Sequence, residues 1–174
     1  RYGERGYGVW RTADGTFVAT CTASVATDGD VNGETLWMTV RAGEGEGQPF
    51  AAVGFRLMKS YDGLRFGSFA LRARTAVNGA VEETTGWTTP VADCTSAQLK
   101  LTFDGSRARA AVRPAGASGW QNAGTVVFPA AFGAQPQIGL MASTSCGSVT
   151  PPANQWTVTD FESKPIPGVI LLVR

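Results

Sequence analysis

The sequence predicts an all-β chain that folds as a two-sheet antiparallel β-sandwich with an extra C-terminal strand. Apolar and polar residues alternate with a period of two in one segment after another, and turn signals separate these segments at intervals of about eight to twelve residues. No segment of useful length shows the 3.6-residue period of a helix. Because each predicted strand has one apolar and one more polar face, two sheets must pack together to bury the apolar faces.

The predicted strands follow one another from Phe17 to Glu162. The clearest alternation lies in residues 17–25, 36–40, 53–57, 64–73, 97–103, 108–112, 138–142 and 154–162. Two of these strands are joined by Asp104-Gly105, a dipeptide that is typical of a tight hairpin turn. We therefore divide the chain into an N-terminal segment (1–15), a sandwich (16–162) and a hinge with a tail strand (163–174).

The tail differs from the rest of the chain. Pro165 and Pro167 interrupt the strand pattern, and an unbroken apolar run follows, consisting of Val169, Ile170, Leu171, Leu172 and Val173. An exposed run of this kind promotes pairing with other chains. We therefore expect the tail to add as a strand to another copy of the chain, which would build an extracellular filament, sheath or coat. The alternative is that the tail pairs within its own sheet.

The charge balance excludes some classes of partner. The chain has 15 Lys and Arg residues against 14 Asp and Glu residues, which argues against binding to nucleic acid or to an anionic membrane. It has no apolar run of about 18 residues, so we expect no membrane span. A chain that begins at Arg1 rather than at Met fits the removal of a signal segment, and we expect a secreted or cell-surface protein.

Histidine is absent, which excludes a Ser-His-Asp triad, a Cys-His pair and a His-ligated metal site. Cys21 lies on the apolar face of its strand and is predicted to be a buried free thiol. Cys94 and Cys146 lie at strand edges in turns rich in Ser and Thr, and we predict a disulfide between them, as is typical of extracellular proteins. The alternative is three unpaired thiols.

One loop is a candidate calcium site, and calcium is the one cofactor that we consider. Asp28, Asp30 and Asn32 alternate in D-G-D-V-N-G, as in the first half of an EF-hand loop. The twelfth position of that motif is Thr39 rather than a bidentate Glu, so the match is incomplete. The alternative is an ordinary turn between two strands.

Several motifs resemble the second half of a concanavalin A-like jelly roll. They are the strand–Asp-Gly–strand hairpin QLKLTFDGSRARAAVR, the Gly-Trp turn at Trp120, the strand QIGLMAS and the closing strand VTDFE. The resemblance covers residues 16–162 and implies a laminin-G-like jelly roll. Its relatives include lectins, glycoside hydrolases, polysaccharide lyases and structural domains, so fold alone does not fix function.

The resemblance also directs attention to catalytic and sugar-binding residues. Retaining hydrolases of this fold carry an E-x-D-x-x-E strand, which is absent here, and the related lyases use Tyr with His or Arg. We therefore predict a non-catalytic protein. The candidate sugar platforms are Trp37, Tyr61, Trp87 and Trp120, with packing at the edge of the core as the alternative. A non-catalytic, lectin-like module that binds a polysaccharide is the second predicted function.

Overall fold

The structure, a computed structural model, describes residues 7–13, 15–26, 32–59, 65–85, 91–92, 94–133, 135–144 and 155–166. All regular elements within these ranges are strands, which confirms the predicted all-β class. The strands are β1 (Tyr7–Thr12), β2 (Phe17–Ala26), β3 (Asn32–Arg41), β4 (Phe50–Lys59), β5 (Arg65–Arg74), β6 (Glu82–Thr85), β7 (Val91–Ala92), β8 (Ser96–Phe103), β9 (Arg107–Pro114), β10 (Gln121–Val127), β11 (Gln137–Thr144) and β12 (Gln155–Pro165).

Two antiparallel sheets form the predicted sandwich. The seven-stranded sheet has the order β1-β11-β3-β4-β5-β6, and β7 also pairs with β5. The five-stranded sheet has the order β10-β9-β8-β2-β12. The inward-facing side chains of both sheets form one core. Its largest fully buried members are Phe17, Phe55, Phe69, Phe103, Met38, Leu71, Leu99, Leu101 and Ile138. Burying each such side chain contributes about 1.5–3 kcal/mol, so this core holds the two sheets together.

The hairpin between β8 and β9 forms where Asp104-Gly105 predicted it. The Asp104 carboxylate accepts hydrogen bonds from the backbone N–H groups of Ser106 (3.2 Å) and Arg107 (2.8 Å). Gly105 has a φ of 99°, a value that favours glycine. Beyond the turn, buried Ala108, Ala110 and Val112 alternate with arginines on the opposite face.

The structure agrees with the prediction for Cys21 but not with the prediction for Cys94. Cys21 is a buried free thiol, as predicted, and burial raises its pKa to about 12 although a backbone hydrogen bond with Leu99 opposes that shift. Cys94 is also a free, buried thiol, and its Sγ donates to the carbonyl oxygen of Ser96 at 3.1 Å. The structure therefore does not support the predicted Cys94–Cys146 disulfide, although Cys146 itself lies outside the described residues.

Both ends of the described chain lie on edge strands. β1, which belongs to the predicted N-terminal segment, pairs with β11 from Tyr7 to Thr12. β12 continues three residues beyond the predicted boundary at Glu162, because Ser163, Lys164 and Pro165 keep pairing with β2. A proline is tolerated at the end of an edge strand, where its missing N–H breaks no central ladder. The predicted assembly residues 169–173 lie outside the described residues.

Candidate ligand-binding site

The outer face of the seven-stranded sheet carries two tryptophans that lie over glycines. A methyl group placed at Gly54 would approach Cε3 of Trp37 to 2.5 Å, so the indole of Trp37 lies flat against β4. The guanidinium carbon of Arg72 lies 5.0 Å from the centre of the Trp37 ring. Trp37 is only 1% exposed. It is therefore a packed residue rather than the accessible sugar platform that the sequence predicted, and both faces of β3 are covered.

Trp10 on β1 lies in the same way over Gly139 on β11, and a methyl group at Gly139 would overlap its ring. Unlike Trp37, Trp10 is half-buried. Its ring forms one wall of a cavity of about 270 Å³ at the end of the sheet. The cavity is lined by Trp10, Thr39, Arg41, Gly45, Glu46, Gly47, Gln48, Phe50, Arg74 and Met141.

The loop between β3 and β4 closes one side of this cavity. The backbone N–H of Asn78, in the turn between β5 and β6, donates to the carbonyl oxygen of Gly47 at 2.8 Å. Gly45 and Gly47 both have positive φ, at 93° and 87°, so the glycines permit the tight path of this loop. The loop is thereby held beside the sheet and presents Glu46 and Gln48 to the cavity.

Thr39, one of the residues that line the cavity, carries an unusual polar group. The residue is 3% exposed, and its Oγ1 is buried without a hydrogen-bond partner among the described residues. A buried hydroxyl in this state destabilises a protein by about 1–3 kcal/mol, and such groups are rare in folded proteins. The Thr39 hydroxyl is therefore suited to a hydrogen bond with a bound molecule.

Arg41 is held in place beside Thr39 by neighbouring side chains. Its Nε donates to Oε1 of Gln137 at 2.7 Å, and Nε2 of Gln137 donates to Oε1 of Glu44 at 3.3 Å. The guanidinium carbon lies 3.8 Å from the centre of the Trp10 ring. Burial lowers the pKa of Arg41, while the Glu44 carboxylate acts in the opposite direction. These contacts fix a planar cation against an aromatic wall.

Arg74 lies on the opposite side of the cavity. It is 8% exposed, and its Nε donates to the carbonyl oxygen of Gly79 at 2.8 Å. Its guanidinium carbon lies 5.8 Å from the centre of the Phe50 ring. The cavity thus combines two aromatic walls, two arginines and a hydroxyl, a combination suited to a small polar ligand with a ring. Among the described lining residues Glu46 is the only carboxylate, whereas glycoside hydrolysis uses two.

The remaining predicted site residues are dispersed. Trp120 directly precedes β10 of the five-stranded sheet and is 36% exposed, so it stays a candidate platform. Tyr61, Trp87, Asp28 and Asp30 lie outside the described residues. Asn32 is described only as the first residue of β3, and the calcium prediction stays untested. No group of three or more potential metal ligands occurs within the described ranges.

The sequence predictions missed Trp10, Thr39 and Arg41 as lining residues of one site. Two local signals were present, because Gly8 and Trp10 alternate with exposed Val9 and Arg11, and Trp37, Thr39 and Arg41 share one face of β3. The arginines on the polar strand faces are divided between two sheets. Arg56 and Arg72 lie on β4 and β5, whereas Arg107 and Arg109 lie on β9.

No protein-family profile matches the chain, and no curated protein matches it significantly. Solved structures do share its architecture. A functionally unknown protein from Saccharomyces cerevisiae is 17% identical at a TM-score of 0.63, over 94% of this chain and 76% of that one. An alginate lyase from Klebsiella pneumoniae is 13% identical at a TM-score of 0.58, over 87% of this chain and 60% of that one. A legume lectin-like domain from Entamoeba histolytica is 10% identical at a TM-score of 0.58, over 96% of this chain and 82% of that one.

These similarities confirm a concanavalin A-like jelly roll, the class that the sequence motifs resembled. They show the fold alone, since one neighbour is an enzyme and another is lectin-like, and the same fold carries both kinds of site. Among the residues that the structure describes, there is no helix with the length and apolarity needed to cross a membrane.

Proposed function

We propose that this chain is a non-catalytic carbohydrate-binding module whose sugar site is the cavity between Trp10 and Phe50. The observation that carries the proposal is the buried, unpartnered Oγ1 of Thr39, a residue that lines a cavity with aromatic walls. A sugar hydroxyl would donate to Thr39 Oγ1 and remove the penalty of its isolation. The apolar face of the same sugar ring would pack against Trp10.

The charged residues of the cavity favour a sugar that carries an acceptor. Arg41 is fixed by Gln137 and by the Trp10 ring, so little side-chain entropy is lost when it binds a hydroxyl or carboxylate oxygen. The names of two structural neighbours, an alginate lyase and a legume lectin-like domain, support the choice of a polysaccharide ligand. A single lining carboxylate, Glu46, favours binding over hydrolysis. An extracellular location belongs to the same proposal.

The test is binding to an oligosaccharide array that includes alginate and xylan fragments, followed by calorimetry with the fragments that bind. Thr39→Val removes the hydroxyl with little change in shape, and we expect about a tenfold loss of affinity, equivalent to about one good hydrogen bond. Thr125→Val is the matched control, because Thr125 is exposed on the five-stranded sheet. The proposal is wrong if no oligosaccharide binds below about 1 mM, a weak limit for recognition, or if both variants bind equally well.

Self-assembly through residues 169–173 is the second candidate function. It is favoured by the edges of the sheets, since β1 and β12 each end a sheet order and no described strand pairs with their outer sides. Val9 on β1 is 73% exposed, so an apolar side chain lies at one such edge. An added strand would satisfy these backbone groups and cover Val9.

The truncation that tests assembly must spare β12. Because β12 runs to Pro165 and the N–H of Ile166 donates to the carbonyl oxygen of Thr16 at 3.1 Å, the shortened chain should end at Ile166. We expect oligomers or fibres from the full chain and folded monomers from the shortened one, measured by size-exclusion light scattering and electron microscopy. The same oligomeric state for the two chains would exclude assembly through the tail.

A further inference from the structure

The outer face of the β8–β9 hairpin is strongly basic. These two strands contain no Asp or Glu, and four cations lie on their outer face, namely Lys100, Arg107, Arg109 and Arg113. The inward residues Ala108, Ala110 and Val112 are buried, which fixes the alternate arginines of β9 on the outer side. We call these four cations the basic row.

The geometry of the strands sets the spacing of the basic row. Alternate residues of a strand are about 6.6 Å apart, so the line from Arg107 to Arg113 extends about 20 Å. Ala111 leaves a gap in this line, and Lys100 lies directly opposite Ala111 on β8. The long side chain of Lys100 therefore supplies a cation at the position where β9 lacks one.

The cations of the basic row form no salt bridge with any carboxylate in the described part of the chain; the described salt bridge on this sheet joins Lys164 to Glu162 at 2.6 Å. Arg113 donates from Nε to Oε1 of Gln98 at 2.8 Å, a neutral partner that positions the guanidinium and leaves its charge uncompensated. A row of like charges at this spacing repels itself modestly in water, and a bound polyanion would relieve that repulsion.

Trp120 lies at one end of the basic row. Its ring centre is 4.5 Å from Nζ of Lys100 and 5.1 Å from the guanidinium carbon of Arg113. The residue is nevertheless 36% exposed. Arg113 also lines a cavity of about 300 Å³, together with residues that include Ser96 and Gln98. An accessible ring with flanking cations and amide groups is a combination that recognises a sugar bearing an anionic group.

We propose that the basic row and Trp120 form a second ligand site, which binds an anionic polysaccharide through its sulfate or carboxylate groups. A sugar ring packs on Trp120 while successive anionic groups along the polymer pair with Arg113, Lys100 and Arg109. The near-neutral charge of the chain as a whole, +1 at pH 7, favours this choice over nucleic acid, which is attracted by a large overall positive charge.

This second site is independent of the Trp10 cavity, because the two lie on opposite sheets. With both sites present, one molecule would hold two polymer chains at once and would cross-link them. The second site does not require the first, and its test uses residues that are far from Thr39.

The test measures binding of the full chain to dextran sulfate, uncharged dextran, alginate and single-stranded DNA by interferometry at about 50 and 150 mM salt. We expect dextran sulfate or alginate to bind, uncharged dextran not to bind, and the affinity to fall as salt rises. The double variant Arg107→Gln with Arg109→Gln should weaken binding about five- to tenfold. Trp120→Ala should weaken binding to the sugar polymers.

Lys164→Gln is the matched control, because Lys164 is an exposed cation on the same sheet that is already paired with Glu162. The proposal is overturned if Lys164→Gln weakens binding as much as the double variant, or if neither charged polymer binds. Tighter binding to DNA than to every glycan would identify a nucleic-acid surface and also overturn it. Circular dichroism of each variant verifies that the exposed substitutions leave the fold intact.

Discussion

A tryptophan on one outer face of the sandwich is buried, whereas a tryptophan on the other outer face is exposed. On the seven-stranded sheet, Trp37 is 1% exposed because Gly54 on the next strand lets its ring lie against the backbone and Arg72 covers it. On the five-stranded sheet, Trp120 precedes β10, and it is 36% exposed although two cations contact its ring. A cation above an indole therefore does not decide its exposure here. Trp37 is in addition packed among Ala52, Ala70, Phe50 and Met141, and this packing has no counterpart among the described ring contacts of Trp120.

The largest expected difference between the faces is the effect of removing each ring. Trp37→Ala should lower the free energy of unfolding by about 3–5 kcal/mol, since it leaves a cavity under Arg72. Trp120→Ala should lower it by less than about 1 kcal/mol, because most of the lost contacts are with flexible, solvated side chains. Urea denaturation measures both values. Equal effects would mean that the two rings are packed alike.

The core between the two faces contains Cys21, whose thiol makes the stability of the protein depend on pH. The pKa of Cys21 is about 12 in the folded protein against an ordinary value of 9.0. The unfolded chain therefore loses this proton first. The contribution of this thiol to stability is constant below pH 9 and falls by about 1.4 kcal/mol per pH unit from pH 9 to pH 12. The total is about 4 kcal/mol. Cys21→Ala should have a flatter stability profile over this range, and identical slopes for the two proteins would contradict the assignment.

Adding a methyl group next to each ring should also destabilise one face more than the other, by less than removal of the rings does. Gly54→Ala forces its Cβ against Trp37 at 2.5 Å, and we expect a loss of about 1–3 kcal/mol. Gly119→Ala, beside Trp120, is the matched control because nothing lies within 4 Å of the new methyl group. Its effect should stay within about 0.5 kcal/mol. Thermal unfolding distinguishes the pair, and a neutral Gly54→Ala would mean that Trp37 moves freely.

The smallest expected effect concerns Thr39, and it has the opposite sign. Thr39→Val removes a buried hydroxyl without a partner, so the ligand-free protein should gain about 1 kcal/mol in stability. Thr125→Val on the five-stranded sheet should change stability by less than about 0.5 kcal/mol. Chemical denaturation without ligand measures both. A loss of stability in Thr39→Val would mean that its hydroxyl already has a partner.

Local sequence signals predicted the fold well. The β8–β9 hairpin is an example, because the turn is determined by Asp104 and Gly105 themselves, through the Asp104 carboxylate and the positive φ of Gly105. The alternation of apolar residues on neighbouring strands then determines which face enters the core. The end of β12 was placed three residues early, because Pro165 indicates a break but is tolerated where a strand ends.

The candidate site was predicted poorly, because it depends on pairing between distant segments. Trp10 reaches Thr39 and Arg41 only after β1 pairs with β11 and β11 pairs with β3. No local pattern around Trp10 indicates that Gly139 will lie beneath its ring. The exposure of Trp37 could not be decided for a related reason, since it depends on Gly54 in the adjacent strand.

The position of β2 has a consequence for how the chain folds. β2 lies between β8 and β12, so one neighbour begins at Ser96 and the other at Gln155. During synthesis both edges of β2 can therefore be paired only after β12 has been made. Such non-local pairing slows folding to the range of about milliseconds to seconds. While β2 is unpaired, its apolar face and its open edges promote aggregation. We therefore expect the yield of refolding to fall steeply with protein concentration.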